Sequence, residues 1–244
     1  GLRSLVGTKE FYKKVLLVAV PIMIQNGITN FVSLLDNIMV GQVGTEQMSG
    51  VAIANQLVFI FNLCIFGAVA GAGILGAQFY GSGNPEGVRH TFRFKLLFGV
   101  ILSAIFAVIF LTVGEPLIQQ FIHQGEGIGD LEATRAYGKA YLEVIVIGIL
   151  PFALTQCYSG TLRETGETVI PMIAGIIAVL VNLVFNYILI FGKLGAPELG
   201  CVGAAIATVL SRFVELAIVA GWTHKHAARN PFIRGALRSF KIPG

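Results

Sequence analysis

Six stretches of this chain are each long and apolar enough to cross a bilayer, and that recurrence constrains the fold before any motif is considered. A spanning helix needs about 20 predominantly apolar residues. Such stretches run over roughly 12–40, 51–79, 94–113, 137–161, 169–191 and 200–222. Inside a bilayer only helices and closed barrels satisfy their backbone groups, so the chain is predicted to be an all-α, polytopic membrane protein, a six-transmembrane-helix bundle. A mean hydropathy of +0.79 with only 12% charged residues excludes a soluble globular domain. Gly, Pro and polar residues separate the spans at 41–50, 81–87, 114–130, 164–167 and 192–200, and a polar tail is expected over 223–244. The first apolar run is too long for a cleavable signal peptide and reads as the first span.

The basic residues orient the bundle. Thirteen of the 17 Lys and Arg fall on the side of the N-terminus: Arg3, Lys9, Lys13 and Lys14; Arg89, Arg93 and Lys95; Arg163; and Lys225, Arg229, Arg234, Arg238 and Lys241. Only Arg135, Lys139 and Lys193 fall on the other side, and Arg212 lies within the sixth span. The positive-inside rule then places both termini in the cytoplasm. It also accounts for the net charge of +4 without nucleic acid. Cys64, Cys157 and Cys201 show no metal-ligand spacing and read as small packing residues.

Within the first span one residue is costly where it sits. Asp36 is an acid in an otherwise apolar helix, and an intramembrane carboxylate marks a functional site. Gln25, Asn26, Thr29, Asn30, Ser33 and Asn37 share its helix, and at about 100° per residue all seven fall in a sector of roughly 140°. Asn55 and Asn62 in the second span, Thr155, Gln156 and Ser159 in the fourth, and Asn182 and Asn186 in the fifth also recur at helical spacing. Converging, these faces would line a polar chamber suited to a cation or a proton. The alternatives are an interfacial Asp36 reaching water and amides serving as interhelical glue. Glu143 reads as a wet residue near a helix end, and Arg212 with Glu215, three apart, as a structural ion pair. No nucleophilic or nucleotide-binding constellation is present; Gly71-Ala72-Gly73-Ile74-Leu75-Gly76 lies inside a membrane helix and not after a strand. The chain is therefore not expected to be an enzyme.

Several groups of residues together carry a family resemblance. They are Pro21 with Asp36-Asn37-Ile38-Met39-Val40-Gly41, Ala77-Gln78-Phe79-Tyr80-Gly81-Ser82-Gly83, Gly160-Thr161-Leu162-Arg163-Glu164-Thr165-Gly166, and Gly200-Cys201-Val202-Gly203-Ala204-Ala205. In this order and spacing the chain resembles the N-terminal half of the MATE (multidrug and toxic compound extrusion) transporters over essentially its whole length.

The resemblance implies one six-helix lobe of a two-lobe, 6+6 fold, residues 1–222, followed by a cytoplasmic inter-lobe linker at 223–244. It implies export of organic cations and drugs in antiport with H⁺ or Na⁺, without a cofactor, in the inner membrane of a bacterium. Asp36 would be the coupling acid, with Na⁺ as one candidate ion there, joined by Asn182, Asn186 and Gln156; Gln25 and Ser33 complete the polar face. Some members carry an acid where this chain has Asn186, which leaves Asp36 as the only clear acid. The expected partners are membrane lipid and a second six-helix lobe, either a C-terminal half or a second copy. A lipid-linked oligosaccharide flippase is disfavoured because only Arg212 is expected within a span. A non-transporting membrane module would keep Asp36 dry.

Overall fold

The computed structural model describes residues 7–124 and 129–238; Arg3, Lys241 and the side chain of His123 lie outside what it describes. Six helices follow one another: α1 (Lys9–Gly41), α2 (Thr45–Gly81), α3 (Pro85–Gln124), α4 (Leu131–Glu164), α5 (Val169–Phe191) and α6 (Cys201–Lys225). A short 3-10 turn at Pro231–Ile233 comes after them, and no strand occurs among the described residues. Each of the six helices carries an apolar window fit to cross a bilayer, as in a multi-pass membrane protein.

The helices outrun the apolar stretches that announce them. α2 starts at Thr45 and not near 51, α4 occupies Leu131–Glu164 and not 137–161, and α3 occupies Pro85–Gln124 and not 94–113. A helix of 40 residues is about 60 Å long, well beyond the hydrocarbon core. The reason lies past Pro116. Leu117, Ile118, Phe121 and Ile122 continue a helical stripe, with Ile118 and Ile122 buried against the core. Losing one backbone bond at a proline does not end a helix that still buries a face. Local signals set the other boundaries. Thr8 accepts the Phe11 amide at 3.2 Å to start α1, and Asp130 accepts the Glu132 amide at 2.9 Å to start α4.

α2, α3, α4 and α6 pack together with α5 laid against α6, and Phe61, Phe92, Leu142, Ile149 and Leu162 are fully buried among them. α2 and α4 touch backbone to backbone: a Cβ on Gly50 would lie 2.7 Å from both the Gly138 nitrogen and the Thr134 oxygen. Neither backbone can give, so Gly50→Ala is expected to cost about 1–3 kcal/mol, the range for overpacking. Gly71→Ala, where the added methyl meets nothing within 4 Å, is expected to leave thermal unfolding in detergent unchanged. Equal melting temperatures for the two variants would refute the close approach as a constraint.

α1 is different. It packs chiefly on α5 and touches α2 only lightly, and Leu16, Leu17, Met23, Phe31 and Leu34 are exposed along it. A gap therefore remains between α1 and the core helices. Among the cysteines, Cys157 and Cys201 are buried but Cys64 is exposed on the apolar surface of α2, so it is not a core packing residue.

The segment after α6 is not the free polar tail expected from its composition. Phe232, Ile233 and Ala236 are buried, with the Phe232 ring 5.5 Å from that of Phe92. Arg89 donates to the carbonyls of Pro231 and Phe232, and Arg93 to those of Gly235 and Ala236, at 2.7–3.2 Å. These arginines hold that segment against α3 as well as contributing to the charge asymmetry.

Candidate functional site

The polar face of α1 turns into the gap that α1 leaves. Two connected grooves result, of about 280 and 400 Å³. Ser33, Asp36, Asn62, Thr208 and Arg212 line both. Asn186 lines the first, and Gln25, Gln156 and Asn182 line the second, so Asp36, Ser33, Gln25, Gln156, Asn182 and Asn186 face one cleft. Asn55 and Asn62 face it from α2. Others do not. Thr155 bonds back to the Pro151 carbonyl at 2.8 Å, Ser159 is buried without a partner, and Asn30 is exposed away from the grooves.

Asp36 is half-buried and held by amides. The Asn186 side-chain nitrogen donates to Asp36 Oδ1, and also to Asn182 Oδ1 at 2.9 Å. Asn182 Nδ2 in turn donates to Thr208 Oγ1 at 3.2 Å, whose own proton goes to the Ala204 carbonyl at 3.0 Å. With its amide turned over, Asn182 donates to Asp36 Oδ2 at 3.0 Å and accepts from Thr208 Oγ1 at 3.2 Å, which sets a donor and not an oxygen against the carboxylate. Asn186 Oδ1 and Asn62 Oδ1 are also buried without partners nearby.

Toward the opposite end of α1 the cleft is charged. Arg163 Nη2 donates to Gln25 Oε1 at 2.9 Å, tying α4 to α1, and Gln25 lies over Gly175, where a Cβ would collide with it. One turn earlier in α1, Pro21 frees the Leu17 carbonyl, which Thr168 approaches at 3.5 Å. Arg163, Arg212 and Glu215 line the cleft as well. The expected Arg212–Glu215 ion pair does not form within 4.0 Å; Arg212 instead stacks over the Phe152 ring at 5.0 Å. Nor is Arg212 the single basic residue of the cleft. Arg163 was counted with the connection expected at 164–167, but α4 continues to Glu164. Thr208, Arg212 and Glu215, at i, i+4 and i+7 on one face of α6, carried a readable signal. Glu143 is exposed, as expected. No three His, Cys, Asp or Glu side chains come together as a metal site among the described residues.

A six-helix membrane bundle enclosing a polar cleft, with a carboxylate among amides, has the build of a solute transporter. The chain belongs to the MatE family, whose profile matches residues 21–188, and this is a family of transporters, not enzymes. It is 33% identical over 211 residues to the probable multidrug resistance protein NorM of Thermotoga maritima, covering 86% of this chain and 44% of that one. Its fold matches a crystal structure of MATE in complex with MaD3S, with a TM-score of 0.81 at 23% identity, over 95% of this chain and 49% of the other. An outward-facing MATE family transporter of the MOP superfamily matches with a TM-score of 0.78 at 23% identity, over 95% and 48%. The chain thus spans about half the length of these relatives, in keeping with one six-helix lobe.

Proposed function

We propose that this chain is the N-terminal lobe of a secondary multidrug exporter that expels organic cations in antiport with H⁺ or Na⁺. On this reading 1–222 form the lobe and 223–244 connect to a second six-helix lobe, with both termini in the cytoplasm of a bacterium and lipid against the apolar surface. The observation that carries the reading is a half-buried carboxylate, Asp36, held by the Asn186 amide inside a polar cleft. In alternating access Asp36 takes up the coupling ion when open outward, which releases the organic cation, and gives the ion up when open inward, which attracts the next one. Ser33, Gln156 and Gln25 offer hydrogen bonds along the cleft, and Asn186 and Asn182 hold the carboxylate in place.

A carboxylate among amides suits a proton and Na⁺ alike, and the gradient that drives export distinguishes them. The test uses the complete reading frame in proteoliposomes loaded with a fluorescent lipophilic cation. A pH gradient or a Na⁺ gradient is expected to drive export, and export by a pH gradient without Na⁺ assigns the proton. Export driven only by a Na⁺ gradient would assign Na⁺, and export driven by neither would overturn antiport.

A further inference from the structure

The segment that follows α6 is fixed in shape as well as in place. Arg234, at φ −63° and ψ 113°, and Gly235, at φ 71°, form the corner of a turn closed by the Ala236 amide on the Ile233 carbonyl at 3.1 Å. This is a type II turn, whose third position favours Gly. Arg89 caps the two carbonyls that lead into it, those of Pro231 and Phe232, and Arg93 caps those of Gly235 and Ala236. With Phe232, Ile233 and Ala236 turned inward, Arg234, Leu237 and Arg238 are exposed on the outer side. Lys225 and Arg229, just before the segment, are exposed too.

The acids at this end of the bundle leave that outer side positive. Glu164 is enclosed with Lys95, Glu86 lies 3.8 Å from Arg89, and Glu167 lies 3.7 Å from Arg229. Arg234 and Arg238 have no carboxylate within 4.0 Å among the described residues. The depth of the segment is set as well. The face of α3 that carries Arg89 and Arg93 continues at four-residue spacing as Leu97 and Ile101, both apolar and exposed. Exposed apolar residues on a spanning helix meet lipid tails, so a segment clamped one turn earlier, about 6 Å along the axis, lies at the level of the headgroups. The positive-inside rule explains why basic residues are numerous here, but it counts charges near the end of a span and needs no turn to aim them.

We infer that Arg234 and Arg238 form a binding site for the phosphate of an anionic phospholipid, with Leu237 between them set against the start of its chains. Basic residues clustered just past a spanning helix attract anionic lipid, and a guanidinium meets a phosphate through two parallel hydrogen bonds. Because Arg89 and Arg93 hold the same segment on α3, lipid bound there would tie the ends of α3 and α6 to the membrane surface. The inference needs only that the chain spans a bilayer, and it stands apart from the export reading.

The test follows thermal unfolding of the complete protein in detergent as phosphatidylglycerol, phosphatidylcholine or inorganic phosphate is added, and reads the half-saturating concentration. Phosphatidylglycerol is expected to raise the unfolding temperature. In Arg234→Gln with Arg238→Gln its half-saturating concentration is expected to rise roughly 25-fold, about fivefold for each basic residue removed. Gly235→Pro keeps every charge but forbids the positive φ of the turn, and is expected to weaken the lipid as well. Lys13→Gln with Lys14→Gln removes two exposed charges at the same end of the bundle, outside the segment, and is expected to leave the lipid unaffected. Absence of a phosphatidylglycerol effect, or an equal effect of phosphatidylcholine or inorganic phosphate, would overturn an anionic-lipid site. Wild-type affinity in the double arginine variant would overturn it too. Equal weakening by the two lysine substitutions, or none in Gly235→Pro, would leave only diffuse charge and overturn the site built on the turn.

Discussion

Asp36→Asn is expected to bring export of a lipophilic cation down to the level of cells lacking the transporter, while the protein still accumulates in the membrane at the wild-type level. The substitution keeps the shape of the side chain and removes its charge. Asn186 can still donate to the remaining oxygen, and α1 owes its position chiefly to packing on α5, so the fold has little reason to respond. Function has every reason to do so. The proposed exchange requires one group to bind an ion in one state and an organic cation in the other, and an amide binds neither as a counter-charge. A hydrogen bond to a charged group is worth about 1.5–3 kcal/mol, so the organic cation alone should bind tens of times more weakly. Loss of ion exchange then removes what remains of the uphill transport. The measurement is the initial efflux rate in energised, efflux-deficient bacteria expressing the complete protein, at matched membrane levels. Undiminished efflux by Asp36→Asn would remove the carboxylate from the mechanism.

Much of this arrangement could be read from the chain because it obeys one-dimensional rules. The spans follow from runs of apolar residues, and the polar face of α1 follows from the spacing of Gln25, Ser33 and Asp36 on a single helix. Gln156, Asn182 and Asn186 converge on that face because each sits on the polar side of its own helix. What escaped the sequence depends on neighbours distant in the chain. Arg163 adjoins and Glu164 begins the polar run 164–167 that reads as a connection, yet α4 carries both of them, because α1 offers Gln25 to one and α2 and α3 enclose the other. Phe232 and Ile233 lie in a stretch rich in basic residues, and only the proximity of Arg89, Phe92 and Arg93 on α3 explains their burial. The missing Arg212–Glu215 pair shows a limit of spacing arguments: i, i+3 makes a contact geometrically available, but an aromatic face at Phe152 competes for the guanidinium.

Lys95→Met is expected to destabilise the bundle more than any surface change. Lys95 Nζ lies 2.6 Å from both oxygens of Glu164 and 3.2 Å from Thr161 Oγ1, with the lysine side chain 0% and the glutamate side chain 13% exposed. The site is shaped for the pair: a Cβ on either Gly73 or Gly76 of α2 would collide with the Glu164 carboxylate. Removing one partner leaves a charge enclosed by three helices, a loss of about 3–5 kcal/mol. Removing both as Lys95→Met with Glu164→Met leaves no charge to solvate, and the double variant is expected to recover much of that loss. Thermal unfolding of the purified protein in detergent gives the comparison. A double variant no more stable than Lys95→Met would mean that the residues do not act as a pair. The same pair bears on the cleft. Residues 163 and 164 project about 100° apart on α4, so holding Glu164 toward α2 and α3 aims Arg163 at Gln25 on α1. Released from that constraint, the stable double variant is expected to export less well than wild type, separating the role of the pair in holding the fold from its role in orienting the cleft.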